Sequence, residues 1–139
     1  MMTKVLLGYD GSDSARDALD FALDLARRYG AELHVLAVVR PPEFAEDVET
    51  EAVIENSQRH YRAVLAPVQA RLAASGVAGK CELAVGHPAE QLLRYADAHA
   101  IDHIVVGHRG RSLFERWLIG SVARQVIAHA RCAVTVVRK

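Results

Sequence analysis

The sequence has no excess of either charge. Its 139 residues include 17 lysines and arginines and 17 aspartates and glutamates, so the formal net charge is zero. Nucleic-acid-binding domains usually carry a clear basic excess, and this balance disfavours a nucleic acid as the partner. Aromatic residues make up only 6% of the chain, but the apolar fraction of 51% is that of an ordinary globular protein and argues against disorder.

Cysteine is scarce, and long apolar runs are absent. Cys81 and Cys132 lie far apart and form no CxxC pair, which favours a reducing cytoplasm, although the sequence alone leaves a single disulfide between them open. No apolar run reaches the roughly 18 residues of a membrane helix. The apolar stretch near the N-terminus is too short for a signal peptide. We therefore predict a cytoplasmic protein with no membrane segment.

Short apolar runs alternate with helical patterns along the chain. The runs that predict strands are 4–9, 33–39, 81–85, 103–106 and 133–137, and helical spacing of apolar residues covers 12–29, a long segment that ends at Ser75–Gly76, 88–96 and 120–130. Strands that are apolar on successive residues are covered on both faces, as in a parallel sheet. Because helices alternate with these strands, each helix connects two parallel strands in a right-handed crossover, and helices cover both faces of the sheet. We predict one α/β domain over residues 1–139, with a doubly wound, five-stranded parallel sheet.

Details of the helices are also predicted. Ser12 or Ser14 suits the N-cap of the first helix, and Gly30 its end. Pro67 should kink the long helix near Ala63. The acidic segment 43–55 is interpreted as a solvated loop and the first turns of that helix. In the last helix, the residues expected to face inward are Val122, Ala123, Val126 and Ile127.

One candidate binding loop follows the first strand. Ligands of open α/β sheets bind beyond the carboxyl ends of strands, where the strand order reverses. In Gly8-Tyr9-Asp10-Gly11-Ser12, the glycines permit a tight turn, and Asp10 offers a carboxylate to ribose hydroxyls or a cation. A turn in which Asp10 and Ser12 only cap the helix explains the same residues.

A second candidate loop follows the fourth strand. It runs Gly107-His108-Arg109-Gly110-Arg111-Ser112 and leads to Gly120-Ser121 at the head of the last helix. Glycines let backbone N–H groups converge on an anion, and a helix N-terminus adds positive potential. The serines and arginines add donors and charge, so the sequence predicts a phosphate cradle. The spacing matches neither GxxxxGK[ST] nor the GxGxxG dinucleotide motif.

At these residues the chain resembles the universal stress protein family, whose ATP-binding signature is G, two residues, G, nine residues, then G followed by Ser or Thr. Gly107, Gly110, Gly120 and Ser121 match it in full. The likeness also covers the turn at 86–90 and the closing segment 132–137. It implies a strand order of 3-2-1-4-5, which makes the two candidate loops neighbours.

The resemblance further implies ATP as the ligand, with Mg²⁺ or Mn²⁺ near Asp10, and Val38 against the adenine. The residues predicted to bind the nucleotide are Gly8, Tyr9, Asp10, Ser12, Val38, Gly107, Arg109, Gly110, Arg111, Ser112, Gly120, Ser121 and Val122. A homodimer is expected to pair through the last strand, at Val134 and Val136. Neither a nucleic acid nor a membrane is expected as a partner.

The predicted function is therefore nucleotide-dependent regulation in a stress response, with at most slow ATP hydrolysis. No catalytic residue is predicted, because no nucleophile motif is present. The alternatives are a slow ATPase or nucleotidyl-transfer enzyme on the same fold, and an interaction module that binds no nucleotide. His99 and His103 have the spacing of metal ligands on a helix, but they straddle a predicted helix end and strand start. The two cysteines are interpreted as inert core thiols.

Overall fold

Five strands and four helices alternate in the computed structural model, which describes residues 2–41, 48–108 and 120–138. The elements are β1 (Lys4–Gly8), α1 (Asp13–Tyr29), β2 (Glu32–Val39), α2 (Val48–Ser75), β3 (Gly79–Val85), α3 (Pro88–Ala98), β4 (His103–Gly107), α4 (Ser121–His129) and β5 (Ala133–Val137). This alternation confirms the predicted α/β fold. Strand β3 begins two residues earlier than predicted.

All neighbouring strands are parallel, and their order is β3-β2-β1-β4-β5, as expected. In the central strand β1, Leu7 is paired with Val35 on one side and Val105 on the other. Its three apolar residues Val5, Leu6 and Leu7 are fully buried. The sequence shows continuous apolar runs because helices cover both faces of these strands.

Helices α1 and α2 cover one face of the sheet, and α3 and α4 cover the other. The first core includes Leu19 and Leu33, and the second includes Leu92 and Ile104. The side chains of Val134 and Val136, on the edge strand β5, pack against the second core and are half-buried.

The predicted ends of α1 are confirmed. Ser12 is the N-cap, and its hydroxyl accepts a hydrogen bond from the Ala15 N–H at 3.1 Å. Gly30 ends the helix with a φ of 63°, a left-handed conformation that glycine adopts without strain. Helix α2 continues through Pro67.

The prediction for α4 is wrong at one residue. Ala123 and Val126 are buried and Val122 is half-buried, but Ile127 is 49% exposed. Val126 and Ile127 point about 100° apart around the helix axis. A short helix near the edge of a sheet buries only a narrow stripe, and that stripe includes Val126 but not its neighbour.

Hydrogen bonds join the elements at the amino edge of the sheet. Asp102 Oδ2 accepts from the Thr3 N–H at 2.8 Å, the Thr3 hydroxyl at 2.9 Å and the Lys4 N–H at 3.2 Å. Nearby, the buried His34 lies between two partners, with Nδ1 2.6 Å from the Tyr95 hydroxyl and Nε2 3.3 Å from Glu32 Oε2. In the described part of the chain, no helix is long and apolar enough to cross a membrane.

Candidate functional site

The ends of β1 and β4 meet at the carboxyl edge of the sheet, where the strand order reverses. Gly107, the last residue of β4, lies against the first turn of α1. A Cβ at this position would be 2.6 Å from Ser14 Oγ and 2.8 Å from the Ser14 carbonyl oxygen, so only glycine fits. This close approach places the turn after β1 directly beside the end of β4. Ser14, predicted only as a possible cap, is the unexpected contact.

The turn after β1 is ordered by Asp10. The Ser12 N–H donates to Asp10 Oδ1 at 2.9 Å, an Asx turn that leads into α1. Gly11 takes a φ of 79°, the left-handed region that suits glycine. Asp10 Oδ2 accepts no hydrogen bond from the described residues. The carboxylate therefore fixes the turn with one oxygen and leaves the other for a ligand or cation.

Gly8 and Tyr9, both predicted site residues, are largely engaged in packing. A Cβ on Gly8 would lie 2.9 Å from Leu92 Cδ1, so the missing side chain lets α3 approach β1. The Tyr9 ring is buried in the first core, and its N–H donates to the Leu36 carbonyl at 3.0 Å. Packing of the ring and the N–H hydrogen bond therefore account for the position of Tyr9.

Backbone hydrogen bonds position the start of α4. The His108 N–H donates to the Val137 carbonyl at 2.8 Å, and the His108 carbonyl accepts from the Gly120 N–H at 2.8 Å. Gly120 is the N-cap of α4 and has no side chain to satisfy the first N–H groups of the helix. Ser121 follows it and is exposed. The positive end of the nine-residue α4 is thus held beside the end of β4.

The remaining predicted residues fall in two groups. Val38 and Val122 are half-buried and pack against the second core, Val38 near the end of β2, paired with Ala84, and Val122 in the first turn of α4. Arg109, Gly110, Arg111 and Ser112 lie outside the described residues. The structure therefore brings together the 8–12 turn, Gly107 and the 120–121 helix start at one edge, with Val38 at the end of a neighbouring strand.

Metal ligands are not clustered in the described ranges. Residues 2–41, 48–108 and 120–138 hold no group of three or more His, Cys, Asp or Glu side chains that could bind an ion. A cation at Asp10 would therefore need oxygens from a ligand and from water, an arrangement that Mg²⁺ commonly adopts with phosphates. His99 caps the end of α3, and His103 Nε2 lies 2.7 Å from the Thr135 hydroxyl oxygen in the sheet.

Both cysteines are free and partly buried. Burial raises the pKa of the Cys81 thiol to about 11 and also raises the pKa of Cys132. At neutral pH both are protonated, which agrees with inert thiols rather than nucleophiles.

A doubly wound parallel sheet with a carboxylate turn and a glycine-capped helix at its switch point is typical of α/β proteins whose ligands bind at that edge. Residues 1–138 match the model of the Universal stress protein family, and the chain belongs to that family. A universal stress protein from Methanocaldococcus jannaschii is 32% identical over 98% of this chain and 82% of its own length.

Solved structures agree with this assignment. The structure of the universal stress protein UspA from Lactobacillus plantarum is similar with a TM-score of 0.90 at 30% identity, covering 98% of this chain and 97% of that one. A universal stress protein from Archaeoglobus fulgidus, solved in complex with dAMP, has a TM-score of 0.69 at 26% identity, covering 99% and 98% of the two chains.

Proposed function

We propose that this protein is an ATP-binding universal stress protein that acts as a nucleotide-dependent regulator. The observation that carries the proposal is the contact between Gly107 and Ser14, which sets Asp10 and the start of α4 at one edge of the sheet. That edge offers a carboxylate oxygen on one side and, on the other, the first N–H groups of a helix whose N-cap residue has no side chain. A nucleotide has the complementary parts, ribose hydroxyls and phosphates.

The roles follow from the chemistry of the groups. Asp10 Oδ2 would accept from a ribose hydroxyl or hold Mg²⁺ or Mn²⁺ together with phosphate oxygens. The α4 N-terminus and the Ser121 hydroxyl would donate to phosphates. Val38 would contact the base. The relative that binds dAMP supports an adenine nucleotide, and the glycine signature of the sequence extends this to the triphosphate.

The edge strand β5 is the proposed site of dimerisation. We expect a cytoplasmic homodimer in which β5 pairs with β5 of a second copy through Val134 and Val136. Strand β5 has a pairing partner on one side only within the described sheet, and its residues 134–137 are half-buried. Pairing would satisfy its outer backbone groups.

Calorimetry with Mg²⁺-ATP tests the binding site. The wild type should bind, and Asp10→Asn should weaken binding by about tenfold, since the negative charge that would hold the cation and the second carboxylate acceptor for a ribose hydroxyl are lost while the Oδ1 acceptor is kept. Asp24→Asn is the matched control, because Asp24 lies exposed near the other end of α1 in an ion pair with Arg28. Ser121→Ala should weaken binding less. Absence of binding by the wild type at about 1 mM ATP would overturn the proposal.

If the protein is instead a slow ATPase, a different experimental result is expected. A slow ATPase would release phosphate at a rate that disappears in Asp10→Ala. A regulator would retain bound ATP over the same period. Mass spectrometry of the freshly purified protein, with and without incubation, distinguishes the two.

A further inference from the structure

Helix α2 is much longer than the strands it covers. Its 28 residues span about 42 Å, whereas the seven residues of β3 span about 23 Å. The buried residues Leu65, Val68 and Leu72 all lie in its second half, and none of residues 51–63 is buried. Because β2 and β3 are parallel, α2 starts at the carboxyl edge. Its first half therefore projects beyond that edge.

Val64 fixes the height of α2 relative to the candidate site. A Cβ on Gly11 would lie 3.0 Å from Val64 Cγ1, so this helix position is level with the Asp10 turn. Each preceding residue rises about 1.5 Å further. Tyr61 is thus about 4.5 Å, and Gln58 about 9 Å, above the turn along the helix axis. A base and ribose held at Asp10 would occupy this range of heights.

Pro67 is expected to bend the projecting half of α2 toward the edge of the sheet. A proline inside a helix crowds the carbonyl four residues earlier, here that of Ala63, and both residues are on the exposed side of α2. Such a clash opens the helix on the side of the proline and bends it toward the opposite side. The first half of α2 is therefore expected to lean over the edge of the sheet.

The stripe of α2 that faces the core continues into this projecting half. Ile54, Gln58, Tyr61 and Leu65 follow helical spacing, and the first three are half-buried. Tyr61 packs against the first core and meets the His60 ring edge-on at 5.3 Å. Within the described ranges, neither the Gln58 carboxamide nor the Tyr61 hydroxyl has a hydrogen-bond partner. A half-buried aromatic ring and a half-buried amide are thus carried by the part of α2 that lies above the level of the Asp10 turn.

We propose that Tyr61 and Gln58 form the base-recognition wall of this site, and that its occupant is the purine of the bound adenine nucleotide. The inference rests on the proposed function. The Tyr61 ring stacks on the base, whereas the Gln58 carboxamide pairs with N6 and N7 of adenine, which guanine cannot match because it carries an acceptor at position 6. Val38 packs against the second core, on the other face of the sheet from Tyr61, and the base would lie beyond the end of β2, near both residues.

Calorimetric titration with Mg²⁺-ATP and with Mg²⁺-GTP tests whether Tyr61 and Gln58 recognise the base. Tyr61→Ala should weaken both nucleotides about tenfold, and Tyr61→Phe should stay within about twofold of wild type, because stacking needs only the ring. Gln58→Ala should lower the preference for ATP over GTP about tenfold. Gln69→Ala is the matched control, since Gln69 is exposed farther along α2, beside the sheet rather than above it, and should change nothing.

The outcomes separate the two proposals. Suppose that the wild type binds ATP and that both Tyr61→Ala and Gln58→Ala bind it with unchanged affinity and unchanged preference over GTP. Base recognition by Tyr61 and Gln58 is then contradicted, whereas the proposed nucleotide site is retained. If the wild type binds no nucleotide, both fall. If Tyr61→Ala changes the oligomeric state without changing the affinity for ATP, the surface of α2 around Tyr61 is a protein–protein contact, and base recognition by Tyr61 is contradicted. Should Tyr61→Ala fail to fold, the preference of Gln58→Ala still decides.

Discussion

The two edges of the sheet differ in how their polar groups are used. At the amino edge, Asp102 Oδ2 accepts three hydrogen bonds from segments distant in sequence, although the buried Oδ1 has no partner among the described residues, and His34 lies between Tyr95 and Glu32. At the carboxyl edge, Asp10 uses one oxygen for its own turn, and α4 begins at a glycine with no capping side chain. We infer that the amino edge serves stability, and that the half-buried Asp10 carboxylate and the start of α4 at the carboxyl edge serve ligand binding.

Each edge also contains a glycine that no larger residue could replace without a collision, but the two glycines have different roles. At the carboxyl edge, Gly107 lets β4 approach Ser14 and so forms the candidate site. At the amino edge, Gly79 lets β3 start against β2, where a Cβ would collide with the Leu33 carbonyl oxygen. A substitution of Gly79 should affect folding alone, whereas one of Gly107 should affect folding and binding together.

The largest expected effect comes from Gly107→Ala. The new Cβ would collide with the hydroxyl and the backbone of Ser14, which should cost about 1–3 kcal/mol of unfolding free energy. It would also push the end of β4 from the Asp10 turn, so ATP affinity should fall. Chemical denaturation and calorimetry measure the two effects. Gly76→Ala, at a positive φ in open space, is the control that should lose stability but keep ATP affinity.

Tyr95→Phe should lower stability and leave binding unchanged. Glu32 faces Nε2 of His34, so that nitrogen carries the hydrogen and Nδ1 accepts from the Tyr95 hydroxyl. Removing the hydroxyl leaves a buried acceptor unpaired, at a cost of about 1–2 kcal/mol. Burial and then the nearby Glu82 and Glu32 raise the pKa of Tyr95 to about 12, so the hydroxyl keeps its proton and the loss should be the same at pH 8 and pH 9, as urea unfolding would measure.

Tyr29→Phe is the matched control for that experiment. Tyr29 is 61% exposed, and its variant should unfold within about 0.5 kcal/mol of wild type. A Tyr95→Phe variant as stable as Tyr29→Phe would show that the amino-edge network contributes little.

Ser12→Ala should have a smaller effect, about 1 kcal/mol, because the cap of α1 is lost. Thermal unfolding of Ser12→Ala and Ser12→Asp measures it, and the aspartate should restore the cap. If Ser12→Ala also reduced ATP affinity about tenfold without changing the fold, Ser12 would be a ligand contact in addition to a cap.

Asp102→Asn should show the smallest effect, visible mainly in the pH dependence. Burial alone would raise the pKa of Asp102, but hydrogen bonds from Thr3 and Lys4 outweigh it and hold that pKa below its ordinary value. Since the folded pKa is lowered, the contribution to stability is present above about pH 4 and is lost as the pH falls further. The unfolding free energies of the two proteins in urea should therefore differ at pH 7, and the difference should shrink as the pH falls below about 4. A pH-independent difference would contradict this cause.

Sequence alone predicted much of the carboxyl edge and little of the amino edge. The Asp10 turn and the start of α4 follow from local patterns of glycine, aspartate and serine next to apolar runs. The strand order that joins them came from the family resemblance. The pair His34 and Tyr95 is separated by 61 residues, and no local pattern links them. The exposed Ile127 was missed because helical periodicity does not show how narrow a buried stripe is.

Backbone amide chemical shifts during titration with Mg²⁺-ATP test the central claim most directly, because they cover both edges in one measurement. We predict that the shifts change at Gly8–Ser12, Gly107, His108, Gly120 and Ser121. Those of Thr3, Lys4, Glu32, Tyr95 and Asp102 should stay constant. Shifts concentrated at the amino edge, or no shifts at saturating ATP, would contradict the account.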